Sequence, residues 1–212
     1  MQPHPSQPNH TADLDPIATT RSGYNRVAHL YQADREHLRS GPYLRQFMAL
    51  LPPQSEILDL GCGSGVPVAQ DLLKAGHLVT GLDNSATQIS LARKHLPNGS
   101  FILRDVQTLQ AQEFSVQGVV MLYTLFHIPR GQHQDLLYTI ATFLPSRGPL
   151  LISFGDTDFE GFHDFYGAMV WSSQFGPETN RRLLSLAGFK ILNQSIDTSG
   201  RERHHMVLCE KI

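Results

Sequence analysis

The chain has 212 residues, 41% of them hydrophobic and 17% charged, with a formal net charge of -2. Those values suit one packed α/β domain and exclude a globally disordered chain. They also argue against a broad basic surface for nucleic acid, and no apolar run reaches membrane-spanning length.

Residues 1–15 are rich in Pro, Gln, His and Asn and read as a disordered tail, which leaves a single domain over 16–212. Met1-Gln2-Pro3-His4-Pro5 lacks the apolar core of a secretory signal. Tyr24, Val27, Ala28 and Tyr31 recur at helical spacing, and a second helical stretch runs from Pro42 to Leu51, so residues 22–51 are expected to form lid helices. From Glu56 the chain alternates strand and helix. Strands are expected at 56–60, 78–83, 100–104, 116–124 and 149–154, with helices after the first, second and fourth. Ser85 and Gln88 have the spacing of a capping box. A helix from Pro177 to Ala187 precedes two final strands, 189–196 and 204–210, joined by a turn through Asp197 and Gly200. Strands that are apolar throughout and separated by helices imply a parallel sheet covered on both faces. The short last link permits only antiparallel pairing. The expected fold is therefore α/β: a doubly wound, mostly parallel seven-stranded sheet with a C-terminal antiparallel hairpin.

The chemistry gathers at strand ends. Gly61-Cys62-Gly63-Ser64-Gly65 follows a strand and precedes a helix, and Asp83 and Asp105 end the next two strands. Glycines let the backbone turn sharply and approach a ligand closely. A dinucleotide fingerprint needs a third glycine at position 66, where this chain has Val66. A carboxylate some 20 residues past the glycines is where a ribose diol is expected.

Ile57-Leu58-Asp59-Leu60-Gly61-Cys62-Gly63-Ser64-Gly65 resembles the first motif of the class I S-adenosylmethionine-dependent methyltransferases, and Leu183 to Phe189 is similar to a late helix-to-strand step of that Rossmann-like fold. Within the superfamily the chain resembles the small-metabolite enzymes. The resemblance implies S-adenosylmethionine as cofactor and S-adenosylhomocysteine as product. It implies that Asp59, Gly61, Cys62, Gly63 and Gly65 surround the methionine part, that Asp83 and Asn84 meet the ribose, and that Asp105 and Val106 meet the adenine edge. Tyr24 is expected to close the cofactor site. A sulfonium cofactor carries no phosphates, so a site edged by carboxylates suits it better than a dinucleotide.

On the acceptor side, the fourth strand leads into Tyr123-Thr124-Leu125-Phe126-His127-Ile128-Pro129. This lacks the Asn-Pro-Pro-Tyr type of sequence of enzymes that methylate base amines. His127 is a candidate base by position, read against a structural histidine hydrogen-bonded to a loop. His163 is a second candidate base. Residues 154–176 are dense in aromatics, and this stretch is expected to be a long irregular connection. Two readings of it stand: a lid lining an acceptor pocket through Tyr31, Phe126, Phe162, Tyr166 and Trp171, or a satellite core beneath a loop. No metal site is expected, because the 11 histidines and two cysteines show no zinc spacing. Cys62 and Cys209 cannot form a disulfide framework and point to a reducing cytoplasm. The expected function is methyl transfer to a small-molecule acceptor. An RNA or protein methyltransferase and a non-catalytic cofactor binder are the alternatives, and oligomeric state is unreadable.

Overall fold

The computed structural model describes residues 14–35, 41–198 and 203–212. The expected tail falls almost wholly outside them, as does the side chain of Tyr31. Asp15, assigned above to the tail, instead starts the first helix. Its carboxylate accepts the backbone N–H groups of Ile17 (2.9 Å) and Ala18 (3.1 Å), and Pro16 takes the first helical position.

Helices α1 (Pro16–Arg35) and α2 (Gly41–Ala49) precede the sheet. The chain then alternates β1 (Glu56–Leu60), α3 (Val68–Lys74), β2 (Leu78–Asp83), α4 (Ala86–His95), β3 (Ser100–Leu103), β4 (Gly118–Met121), α5 (His133–Phe143) and β5 (Pro149–Gly155). After β6 (Phe159–Phe165) and β7 (Ala168–Gln174) come α6 (Pro177–Leu186), β8 (Phe189–Asp197) and β9 (His204–Lys211). The main sheet has seven strands in the order β3-β2-β1-β4-β5-β9-β8, parallel except for β9 and β8, as the alternation requires. The strand order reverses beside β1. A crevice therefore opens between the carboxyl ends of β1 and β4, where α/β sheets bind ligands.

Alternation along each strand divides the apolar residues between two cores. Leu58, Leu60, Met121, Leu150 and Ile152 face α5 and α6. Ile57, Val79, Val120 and Leu151 face α2, α3 and α4. Both faces of the sheet are covered, so β5 is buried along its whole length.

One expectation is corrected. Residues 154–176 are not an irregular connection: β6 and β7 form an antiparallel hairpin and a second sheet. Tyr166 (φ 54°) and Gly167 (φ 76°) make its two-residue turn, with the positive φ at both positions that a tight hairpin favours. Side chains alternate across it. Phe159, His163 and Phe165 share one face, and Phe162 pairs with Trp171 on the other. Helix α1 docks on β7. The Thr20 hydroxyl accepts the Trp171 N–H (3.0 Å), and Gly23 lets the helix approach so closely that an added Cβ would lie 2.8 Å from the Met169 carbonyl.

Candidate active site

A pocket sits in the crevice. It is lined by Gly61 and Gly63 after β1, Asp83 and Asn84 after β2, Asp105–Gln107 after β3, Tyr123, Thr124, His127 and Ile128 after β4, Gln88 of α4, and Ile17, Thr20 and Tyr24 of α1. Gly61 turns with φ 76°, and a Cβ there would overlap Thr124. At Gly63 (φ 55°) a Cβ would meet only Gln88 Oε1, at 3.8 Å, so bare backbone faces open space. Gln88 Oε1 itself is buried and has no hydrogen-bond partner. Only half of the expected capping box is formed. Ser85 Oγ accepts the Gln88 N–H, while the Gln88 side chain stays on the pocket wall.

Asp83 locks the glycine loop to β2. Its Oδ2 accepts the Gly63 N–H (2.9 Å) and its Oδ1 the Ser85 N–H (2.8 Å). Burial lifts its carboxyl above the usual range, and the two backbone bonds oppose that shift. Each oxygen keeps a lone pair for a further donor. Asp105 accepts the Gln107 N–H (2.9 Å), so it both caps a short turn and lines the pocket.

The end of β4 is strained. Tyr123, a bulky residue, has φ 56°, and its N–H donates to Ser153 Oγ (2.6 Å). The tight turn Leu125–His127 then delivers His127 beneath α1. His127 Nδ1 lies 2.9 Å from the Trp171 carbonyl, which can only accept, so Nδ1 carries the hydrogen. Nε2 therefore accepts the Tyr24 O–H, at 2.7 Å. Burial pushes the imidazole down to about 4, which keeps it neutral at physiological pH.

Tyr24 and His127 also line a second cavity, of about 400 Å³, on the hairpin side. Its aromatic wall is Tyr24, Phe126, Phe159 and Phe165. His163 sits among them with Nε2 2.8 Å from the Ser172 hydroxyl.

Most residues singled out in the sequence line one of these spaces. Tyr24, Gly61, Gly63, Asp83, Asn84, Asp105, Val106 and His127 line the first, and Phe126 and His163 the second. Asp59, Cys62 and Gly65 lie behind the first wall. Asp59 is buried in β1, and Gly65 packs under Leu96 and Phe101. Burial, with Asp59 and Asp83 nearby, pushes the Cys62 thiol well up, so it is inert. Phe162, Tyr166 and Trp171 do not line the cavity. Phe162 and Trp171 face away on the hairpin, and Tyr166 sits at its turn against Phe165. Phe159 and Phe165 take their place, and strand periodicity applied to 159–165 would have found them. No group of three or more metal-ligating side chains occurs among the described residues.

Residues 57–148 match the model of a family described as a methyltransferase domain. That stretch runs from β1 to just before β5 and holds the glycine loop, Asp83, Asp105 and His127. The chain is 28% identical over 154 residues to trans-aconitate 2-methyltransferase of Variovorax paradoxus (strain S110), covering 66% of this chain and 56% of that protein. It is 40% identical over 60 residues to ubiquinone biosynthesis O-methyltransferase of Pasteurella multocida (strain Pm70), covering 28% and 24%. The chain spans about half the length of the curated relatives it matches. A Burkholderia thailandensis 1,6-didemethyltoxoflavin-N1-methyltransferase crystallised with S-adenosylhomocysteine shares the fold, at 19% identity and a TM-score of 0.71, covering 93% of this chain and 91% of that one.

The first pocket has the chemistry for S-adenosylmethionine. Its wall offers the Asp83 and Asp105 carboxylates, the unpartnered Gln88 oxygen and bare glycine backbone, and among the described residues carries no Lys or Arg. A pyrophosphate would find no cation there, whereas a sulfonium and an amino group find acceptors.

Proposed function

We propose that the protein is an S-adenosylmethionine-dependent methyltransferase acting on a small-molecule acceptor. The observation that carries this reading is the pair of adjoining spaces with Tyr24 and His127 in the wall of both. In this reading the backbone around Gly61 and Gly63 holds the methionine part, with Asp59 supporting it from behind. Asp83 and Asn84 take the ribose hydroxyls, and Asp105 and Val106 take the adenine edge. When bound, S-adenosylmethionine supplies a methyl group on a cationic sulfur. Helix α1 and the β6–β7 hairpin enclose the junction, which positions the acceptor and excludes water. His163, on the acceptor side, orients the acceptor by hydrogen bonding.

Tyr24 and His127 can move a proton. As an acceptor N–H or O–H becomes acidic on methylation, its proton passes to the Tyr24 oxygen while the phenol proton moves to His127 Nε2. The resulting imidazolium is stabilised by Nδ1–H donating to the Trp171 carbonyl. The depressed pKa makes His127 a weak base but keeps its lone pair available at neutral pH. The relatives' names place their acceptors among small metabolites, and the second cavity has room for a molecule of that size. The two described cysteines are both free, which supports a cytoplasmic setting.

Calorimetric titration with S-adenosylhomocysteine, set beside NAD, tests the assignment. Micromolar binding, about -8 kcal/mol, is expected for wild type and is lost in Asp83→Ala, with no binding of NAD. A folded wild-type protein that fails to bind the homocysteine compound refutes the reading. Detection of a metabolite product one CH2 heavier then identifies the acceptor.

A further inference from the structure

We propose that the second cavity selects an amine-bearing acceptor with an aromatic or otherwise apolar body, and disfavours carboxylates; this rests on the methyltransferase reading for the role of the cavity. Two features of the wall carry the inference. The first is its rings. Phe126 stacks with His204 at 5.3 Å between centroids, Tyr24 lies 5.4 Å from Phe165, and Phe159 meets His163 edge-on at 6.0 Å. These rings offer π faces to a flat apolar body and to an adjacent cation.

The second is the balance of charge. Among the described residues, the charged side chains on this wall are Asp156, Asp158 and Arg203. Arg203 is the only Lys or Arg among them, and its charge is already paired: its Nε donates to Asp156 Oδ2 at 2.6 Å. Asp158 has no cationic partner among the described residues. Its Oδ1 takes a long bond, 3.4 Å, from the Gly176 N–H. The described side chains of the wall therefore carry one net negative charge beside π faces. An incoming carboxylate would have to share Arg203 with Asp156, whose side chain is only 13% exposed, and would sit beside the uncompensated Asp158 carboxylate. An ammonium finds Asp158 and the ring faces without breaking any existing pair. His127, kept neutral by burial, adds no competing positive charge.

The probes are phenethylamine and phenylacetate, which share a phenyl ring and differ in charge. Each is titrated calorimetrically into the full chain, alone and saturated with S-adenosylhomocysteine. Phenethylamine is expected to bind at least about tenfold more tightly than phenylacetate. In Asp158→Asn the preference is expected to collapse, with the melting temperature close to wild type because the residue is exposed. Equal or tighter binding of phenylacetate, no binding of either probe, or an unchanged preference in Asp158→Asn overturns the proposal. S-adenosylhomocysteine binding without the amine preference sinks this inference alone. The amine preference in a protein that ignores S-adenosylhomocysteine sinks the cofactor reading alone.

Discussion

Stability should fall on acidification, and His205 isolates one cause. This residue of β9 is 2% exposed; its Nε2 donates to Gln194 Oε1 at 2.8 Å, and its Nδ1 is buried with no partner. Burial first, and Arg181 second, push its pKa down from 6.5 to about 4. The folded protein therefore resists protonation at a pH where the unfolded chain accepts it. Stability is complete above the unfolded value and is lost as the pH falls from 6.5 toward 4. From pH 7 to pH 5 about 1.5 pH units lie inside that window, worth about 2 kcal/mol at about 1.4 kcal/mol per unit. Solvent screening of the Arg181 contribution reduces this to between about 1 and 2 kcal/mol. Urea unfolding at pH 7 and pH 5 measures the loss for wild type and for His205→Gln, which keeps a donor for Gln194. Wild type includes parallel losses from His127, whose pKa is lowered in the same way. Only the difference between the two proteins belongs to His205, so the variant should lose about 1 to 2 kcal/mol less. Equal losses would refute the reasoning.

Two further perturbations test the site's architecture. Gly61→Ala places a Cβ against Thr124 at φ 76°, whereas Gly63→Ala places one in open space at φ 55°. Both incur left-handed strain of about 1 to 2 kcal/mol. Gly61→Ala should therefore lower the melting temperature by more, while both weaken S-adenosylhomocysteine binding at least about tenfold, read by calorimetry. Gly23→Ala gains about 1 kcal/mol of helix propensity but sets a Cβ 2.8 Å from the Met169 carbonyl, a backbone atom that cannot swing aside. The clash should win. Trp171, the only tryptophan of the chain, lies at this contact and should red-shift its emission as α1 lifts from β7.

The main sheet was readable because its strands are uniformly apolar and separated by helices with clear stops. Gly61, Asp83 and Asp105 were readable because parallel strands bring their carboxyl ends to one edge, so sequence position alone placed them. The hairpin was not. Phe159, Phe162 and Phe165 suggest a helical spacing of three, and Tyr166–Gly167 lacks the Asn or Asp that announces a tight turn. Missing the hairpin meant choosing Phe162 and Trp171 for the cavity wall instead of Phe159 and Phe165. Asp15–Pro16 carried a helix-start signal that the polar composition around it obscured. Asp156 and Asp158 come from the β5–β6 link and Arg203 from the approach to β9, and only the fold brings them to one cavity.

The hairpin's buried apolar residues, Ala168, Val170 and Trp171, belong to neither of the two hydrophobic cores that flank the sheet. Together with α1 they form a separately packed annex beside the carboxyl edge of the sheet. Its contacts can open and re-form without loosening the sheet, so α1 and the hairpin can exchange hydrogens and admit ligands at a lower free energy than global unfolding. Acceptor preference is then free to drift by substitution within the annex, while the cofactor half of the molecule keeps its geometry and its stability.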